Sequence, residues 1–116
     1  SEFSERTGIH TNIRLQLSEQ RLPDDIEITL YRIAQEALTN VEKHAGAEYV
    51  GLRIWFKEGF IWVEVTDDGK GFSPDKTETG IGLLNMRERT ELLSGRFNVK
   101  SKPGSGTRVR AGFAII

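Results

Sequence analysis

A chain of 116 residues, 37% hydrophobic and 28% charged, is long enough for one packed core and too short for two. Its net charge of −1 gives no sign of a polyanion-seeking surface, although local patches can still bind phosphate. The absence of cysteine excludes disulfides and thiolate metal sites and fits a cytoplasmic setting, and two histidines are too few for a multi-histidine metal site. No apolar run approaches the roughly 20 residues that span a bilayer, and no signal peptide is visible.

Ser1-Glu2-Phe3 reads as a cloning remnant, and residues 1–7 are expected to be flexible or left over from cloning. Ile13, Leu15 and Leu17 alternate with polar residues, the pattern of a half-buried strand. Asp24 or Asp25 is placed to accept from the free amides opening a helix. Along that helix Leu30, Ile33, Ala34, Ala37, Leu38 and Val41 recur at spacings of three and four. The helix is expected to stop near Ala45, where Gly46 suits a left-handed cap and His44 the negative end.

Val50, Leu52, Ile54 and Phe56 alternate, then Lys57-Glu58-Gly59 turns the chain into Ile61, Val63 and Val65, which predicts a hairpin. The glycine-rich, polar stretch from Asp67 to Gly82 reads as a long loop. A second helix is predicted from about Leu83 to Ser94, ending at Gly95. Phe97–Lys102 and Thr107–Ile115 flank the turn Pro103-Gly104-Ser105-Gly106 as a second hairpin. Two hairpins and two amphipathic helices give an α/β two-layer sandwich: one domain, with a mixed, mostly antiparallel sheet covered on one face by helices.

Four features can carry chemistry. Glu36, Asn40 and Lys43, at spacings of four and three, fall within roughly 60° of arc on an unbroken helix. A carboxylate, an amide and an ammonium there can orient a nucleophile, ligate Mg²⁺ and meet phosphate. Asp67-Asp68-Gly69-Lys70-Gly71-Phe72 follows a strand directly, so Asp67 can accept from an exocyclic amine while glycines admit a flat ligand. Gly80-Ile81-Gly82-Leu83 opens a helix whose free amides can face phosphates. In Pro103-Gly104-Ser105-Gly106-Thr107, glycines leave room beside the Thr107 hydroxyl. Taken singly, each has a plainer reading: a solvated helix face, an Asp-Gly turn, a helix-entry turn and a hairpin turn.

Their order changes the odds. The run Leu30-Tyr31-Arg32-Ile33-Ala34-Gln35-Glu36-Ala37-Leu38-Thr39-Asn40-Val41-Glu42-Lys43-His44-Ala45 closely resembles the N box of sensor histidine kinase ATPase domains. Val65 to Phe72 resembles their G1 box, Gly80 to Arg89 their G2 box, and Pro103 to Thr107 their final glycine-and-threonine box. The likeness spans residues 8–115, and its Met-Arg-Glu-Arg segment and missing F box are similar to the subgroup related to NarX, DesK, DegS and VraS.

The resemblance implies the Bergerat ATP-binding fold and a domain that binds Mg-ATP and passes the γ-phosphate to a histidine. That histidine sits on a separate dimerisation domain of the parent sensor kinase, which signals to a response regulator. By similarity Asp67 binds the adenine N6, with Gly71 and Thr107 nearby. Asn40 coordinates Mg²⁺, Lys43 meets phosphate, His44 lies beside the nucleotide, and Glu36 orients the histidine or acts as base. Gly69, Phe72, Gly80, Ile81, Gly82 and Leu83 complete the nucleotide contacts, and residues 73–82 form the lid. Arg87 and Arg89 read as structural rather than phosphate-facing. The family's phosphoacceptor setting is absent around His10 and His44. The fragment is expected to be monomeric, without nucleic acid or direct membrane contact, its parent at the cell membrane. The competing expectations are an ATPase of the gyrase, Hsp90 or MutL kind, an anti-sigma serine kinase, and a nucleotide-binding module without catalysis.

Overall fold

The alternating segments assemble into one five-stranded sheet in a computed structural model that describes residues 2–16, 21–72 and 82–115. The elements in chain order are α1 (Glu2–Thr7), β1 (His10–Gln16), α2 (Asp24–Asn40), a π turn (Val41–Ala45), β2 (Tyr49–Lys57) and β3 (Phe60–Asp67). After them come α3 (Leu83–Leu92), β4 (Arg96–Ser101) and β5 (Thr107–Ala114). The strand order is β1-β2-β3-β5-β4; only β1 with β2 is parallel, because α2 carries the chain across between them.

Strand period divides the side chains into two faces. On one, Ile61, Val63 and Val65 of β3 and Val109, Ala111 and Phe113 of β5 are buried, matching the expected hairpin faces. Against them α2 lays Ile26, Leu30, Ile33, Ala34 and Ala37, and α3 adds Leu83 and Met86. Burying a side chain such as Ile33 or Phe113 contributes about 1.5–3 kcal/mol. The result is the expected two-layer arrangement, a mixed and mostly antiparallel sheet with helices on one face.

Three local expectations change. The turn after β2 is as predicted, with Glu58 and Gly59 both at positive φ, but the end of the first helix is not a plain α-turn. It widens into the π turn over Val41–Ala45 before Gly46 closes it in the left-handed region (φ 61°, ψ 30°). At the start of α2 the cap is Pro23, without a side-chain cap bond, while Asp25 Oδ1 accepts from the Ile26 amide at 2.8 Å. Ile13 and Leu15 are 47% and 54% exposed rather than half-buried, because β1 is the sheet edge and α2 packs mainly over β3 and β5. The expected strand residue Leu17 lies outside the described residues.

Residues 2–7 form α1. Phe3 packs against the core, and Arg6 donates to the Glu42 carboxylate at 2.5 Å. That contact raises the arginine's pKa and lowers the glutamate's, mainly through the side-chain hydrogen bond.

Candidate functional site

The end of α2, the π turn, the end of β3, the start of α3 and the start of β5 surround a cavity of about 230 Å³. Its apolar walls come from Ala37, Val41, Val65, Leu83 and Val109. Polar groups enter from Asn40 and His44 on one side and from Asp67, Lys70 and Thr107 on the other. Gly71 and Phe72 complete the opening on the G1 side. Mostly apolar walls with a few convergent polar groups suit a flat heteroaromatic ring.

Asp67 is the last residue of β3, so its carboxylate emerges where the ladder ends. Oδ1 accepts the Gly69 amide at 2.8 Å. Burial raises the carboxyl's pKa above the ordinary aspartate value. The backbone amides of Gly69 and Thr107 oppose that rise, and the neighbouring Asp68 adds to it. Asp68 turns the other way and accepts from the Glu48 and Tyr49 amides, both at 3.0 Å, tying the G1 segment to the start of β2.

The π turn is what the G1 segment docks on. Lys70 N donates to Ala45 O at 2.8 Å, and a Cβ on Gly69 would lie 2.4 Å from that same oxygen. Only glycine permits this approach. Ser101 secures the other side: its hydroxyl accepts from the Phe72 amide at 2.9 Å, donates to Gly106 O at 3.1 Å, and stands 2.8 Å from Thr107 Oγ1.

Of the residues singled out in the sequence, Asn40, His44, Asp67, Gly71, Phe72, Leu83 and Thr107 line this one cavity. Glu36, Lys43, Gly69 and Gly82 do not line it. Glu36 instead reaches the entry of α3, where a Cβ on Gly82 (φ 75°) would fall 2.1 Å from Glu36 Oε1. Glu36 and Asn40 both lie inside α2, whereas Lys43 is exposed in the π turn, outside the regular winding that the 100° spacing assumes. Gly80 and Ile81, and nearly all of the expected lid, lie outside the described residues. Arg87 lies over the Phe97 ring at 5.0 Å, a packing contact. Lys70 was part of the G1 run without an assigned role. Ser101 carried no sequence signal, because only the β4–β5 register sets it opposite Thr107.

The cavity thus lies between a helix pair and a mixed sheet. Residues 25–115 match the family described as Histidine kinase-, DNA gyrase B-, and HSP90-like ATPase, and the chain belongs to that family. Within it, the chain is 38% identical over 108 residues to the signal transduction histidine-protein kinase/phosphatase DegS of Brevibacillus brevis, covering 92% of this chain and 28% of that protein. It is 40% identical over 110 residues to the oxygen sensor histidine kinase NreB of Staphylococcus carnosus, covering 93% and 32%. The chain therefore spans about a third or less of these relatives, which agree with the DegS-like subgroup read from the motifs. Among solved structures it is similar in fold to the blue-light activated histidine kinase of Erythrobacter litoralis EL346 (TM-score 0.81, 24% identity, covering 98% of this chain and 38% of that one).

Proposed function

We propose that this chain is the ATP-binding catalytic part of a sensor histidine kinase, which donates the γ-phosphate of ATP to a histidine on a separate dimerisation domain. The observation that carries this reading is the pairing, across one cavity, of the Asp67 carboxylate with the amide of Asn40 and the ring of His44. A half-buried carboxylate in the wall of an apolar cavity can accept from the adenine amine, and an amide on the facing helix can ligate a phosphate-bound cation.

Mg²⁺ fits the donor set in one way. Among the described residues no group of three or more His, Cys, Asp and Glu is assembled, so the protein offers the Asn40 amide oxygen while phosphates and water supply the other positions. Once bound, the cation neutralises charge on the phosphates. The chain's own residues do the rest. Asp67 and Thr107 hold the base, Gly69, Gly71 and Phe72 let the G1 backbone lie close to it, and Leu83 closes its apolar side. We assign His44 to a place beside the nucleotide and Lys43, exposed in the π turn, to phosphate. Glu36, beside the glycine that opens α3, orients the incoming histidine or takes its ring proton. The γ-phosphorus exchanges its bond to the β-phosphate oxygen for one to the histidine nitrogen, and ADP leaves.

No described helix is long and apolar enough to cross a membrane. We place this part in the cytoplasm, with the parent at the cell membrane and a response regulator taking the phosphoryl group onward. The test is phosphorylation in trans. With labelled ATP alone the chain should stay unlabelled and release phosphate slowly. Given the histidine-bearing dimer of its parent, it should form an acid-labile, base-stable product on that histidine. Fast phosphate release indifferent to the added dimer would instead make it a hydrolytic ATPase.

A further inference from the structure

The second face of the sheet carries no helix among the described residues, and its charge is lopsided. Along one row that crosses four strands, Arg14, Arg53, Glu64 and Arg110 stand in register. On the turn side of that row are Lys57 and Arg96, and on the other side Lys100 and Arg108. Seven of the chain's 16 Lys and Arg, but one of its 17 Asp and Glu, occupy strand positions of this face. Among the described residues eight basic and thirteen acidic side chains lie off these positions, so the near-neutral total hides a strong separation of charge.

The face is built to hold its arginines. Trp55 and Trp62 stack at 6.3 Å between centroids, and Trp62 lies so close on Gly112 that a Cβ there would sit 2.4 Å from the ring. Trp55 is only 8% exposed although it lies outside the core cluster, because its own face covers it. Arg53 lies over its ring at 4.1 Å and Arg110 at 5.7 Å, while Arg96 lies over Phe60 at 4.6 Å. Rings used this way fix guanidinium planes rather than offer stacking surfaces.

Left to itself the face is unfavourable. Arg14 stands opposite Arg53 and Lys100 opposite Arg108, and like charges in directly opposed positions destabilise a sheet. Of the basic side chains on this face, only Arg110 has a carboxylate partner among the described residues: its Nε donates to Glu64 Oε2 at 2.8 Å and its Nη2 to the same oxygen at 2.5 Å. Arg108 Nε is shielded from water with no acceptor among the described residues.

We propose that this open face docks an acidic protein surface, whose carboxylates pair with the ring-supported arginines as Glu64 already does with Arg110. Charge complementarity and the dominance of arginine, whose planar fork matches a carboxylate, argue for that occupant. Single-stranded nucleic acid needs free ring faces for its bases, and here guanidinium groups cover Trp55 and Phe60. A lipid surface favours protruding apolar side chains beside the basic ones, and Tyr49 is the exposed large apolar residue among the described positions of this face.

The experiment measures fluorescence anisotropy of three labelled probes with the whole chain: a polyglutamate peptide, a single-stranded oligonucleotide of equal charge, and phosphatidylglycerol vesicles. The peptide should bind most tightly, with an affinity that falls as salt rises. The triple variant Arg14→Glu, Arg53→Glu, Arg96→Glu should bind it at least about tenfold more weakly, with ATP affinity unchanged because the cavity lies on the other face. Should the triple variant not fold, Arg14→Glu alone, at an exposed edge position, should still weaken the peptide about two- to fivefold. Tighter binding of the oligonucleotide or the vesicles, binding of none of the three, or variants that bind the peptide like the parent would each overturn the proposal.

Discussion

Replacing Asp67 with asparagine changes one oxygen to an amide and leaves the volume alone, so it isolates what the carboxylate does for a nucleotide. The oxygen that accepts the Gly69 amide at 2.8 Å can be kept by the asparagine carbonyl. The second position then becomes an NH₂ facing the adenine amine, donor against donor. A hydrogen bond to a charged group is worth about 1.5–3 kcal/mol, so ATP should bind roughly ten- to a hundredfold more weakly. The fold should survive. Burial disfavours the Asp67 charge, so a neutral side chain at this site is no less stable and its melting temperature should hold or rise slightly. Calorimetric titration of parent and variant with ATP and GTP, beside a thermal scan without nucleotide, reads both effects. Equal binding of ATP and GTP by the parent, or unchanged ATP affinity in the variant, would refute the assignment of Asp67 to the adenine amine.

The same carboxyl sets a pH dependence. Because its folded pKa is raised, the nucleotide-free protein binds more protons folded than unfolded at pH values between the ordinary aspartate value and the raised one, and stability falls as pH rises through that window. Nucleotide affinity runs the other way: it should fall as acid protonates Asp67, beginning at a higher pH than an ordinary aspartate would give, and Asp67→Asn should flatten the profile. Gly69→Ala should cost about 1–3 kcal/mol in urea unfolding, since a methyl 2.4 Å from Ala45 O forces the G1 segment off the π turn. Phe113→Ala, at a fully buried ring, should cost about 3–5 kcal/mol in the same assay. Asn40→Ala should reduce the Mg²⁺-dependent tightening of ATP binding more than binding without the cation, as seen in titrations with and without chelator. Glu36→Gln should lose most transfer to the histidine dimer while ATP affinity stays, read by single-turnover labelling.

Much of the fold was legible in one dimension because it depends on local grammar. The period-two runs of β2, β3 and β5 and the three-four spacing of α2 follow from where side chains point along a strand or helix, so they name the elements and the faces that bury. Asp67 at a strand end, Gly71 shortly after it and the Asn40 amide on the preceding helix are features of composition and order, and they meet at one cavity. What the line of residues could not give was anything that depends on which strand lies beside which. Ile13 and Leu15 alternate like any half-buried strand, yet they are exposed because the topology puts β1 at the edge. Ser101 looks like any turn-flanking serine until the β4–β5 register sets it beside Thr107. The π turn is a matter of backbone hydrogen bonding at the end of α2, and it puts Lys43 outside the regular winding that the stripe assumed. Charge shows the limit most clearly. A net of −1 is a sum over the chain, whereas an interaction surface is a sum over one face, and only the strand order gathers arginines from β1, β2, β4 and β5 onto the same side.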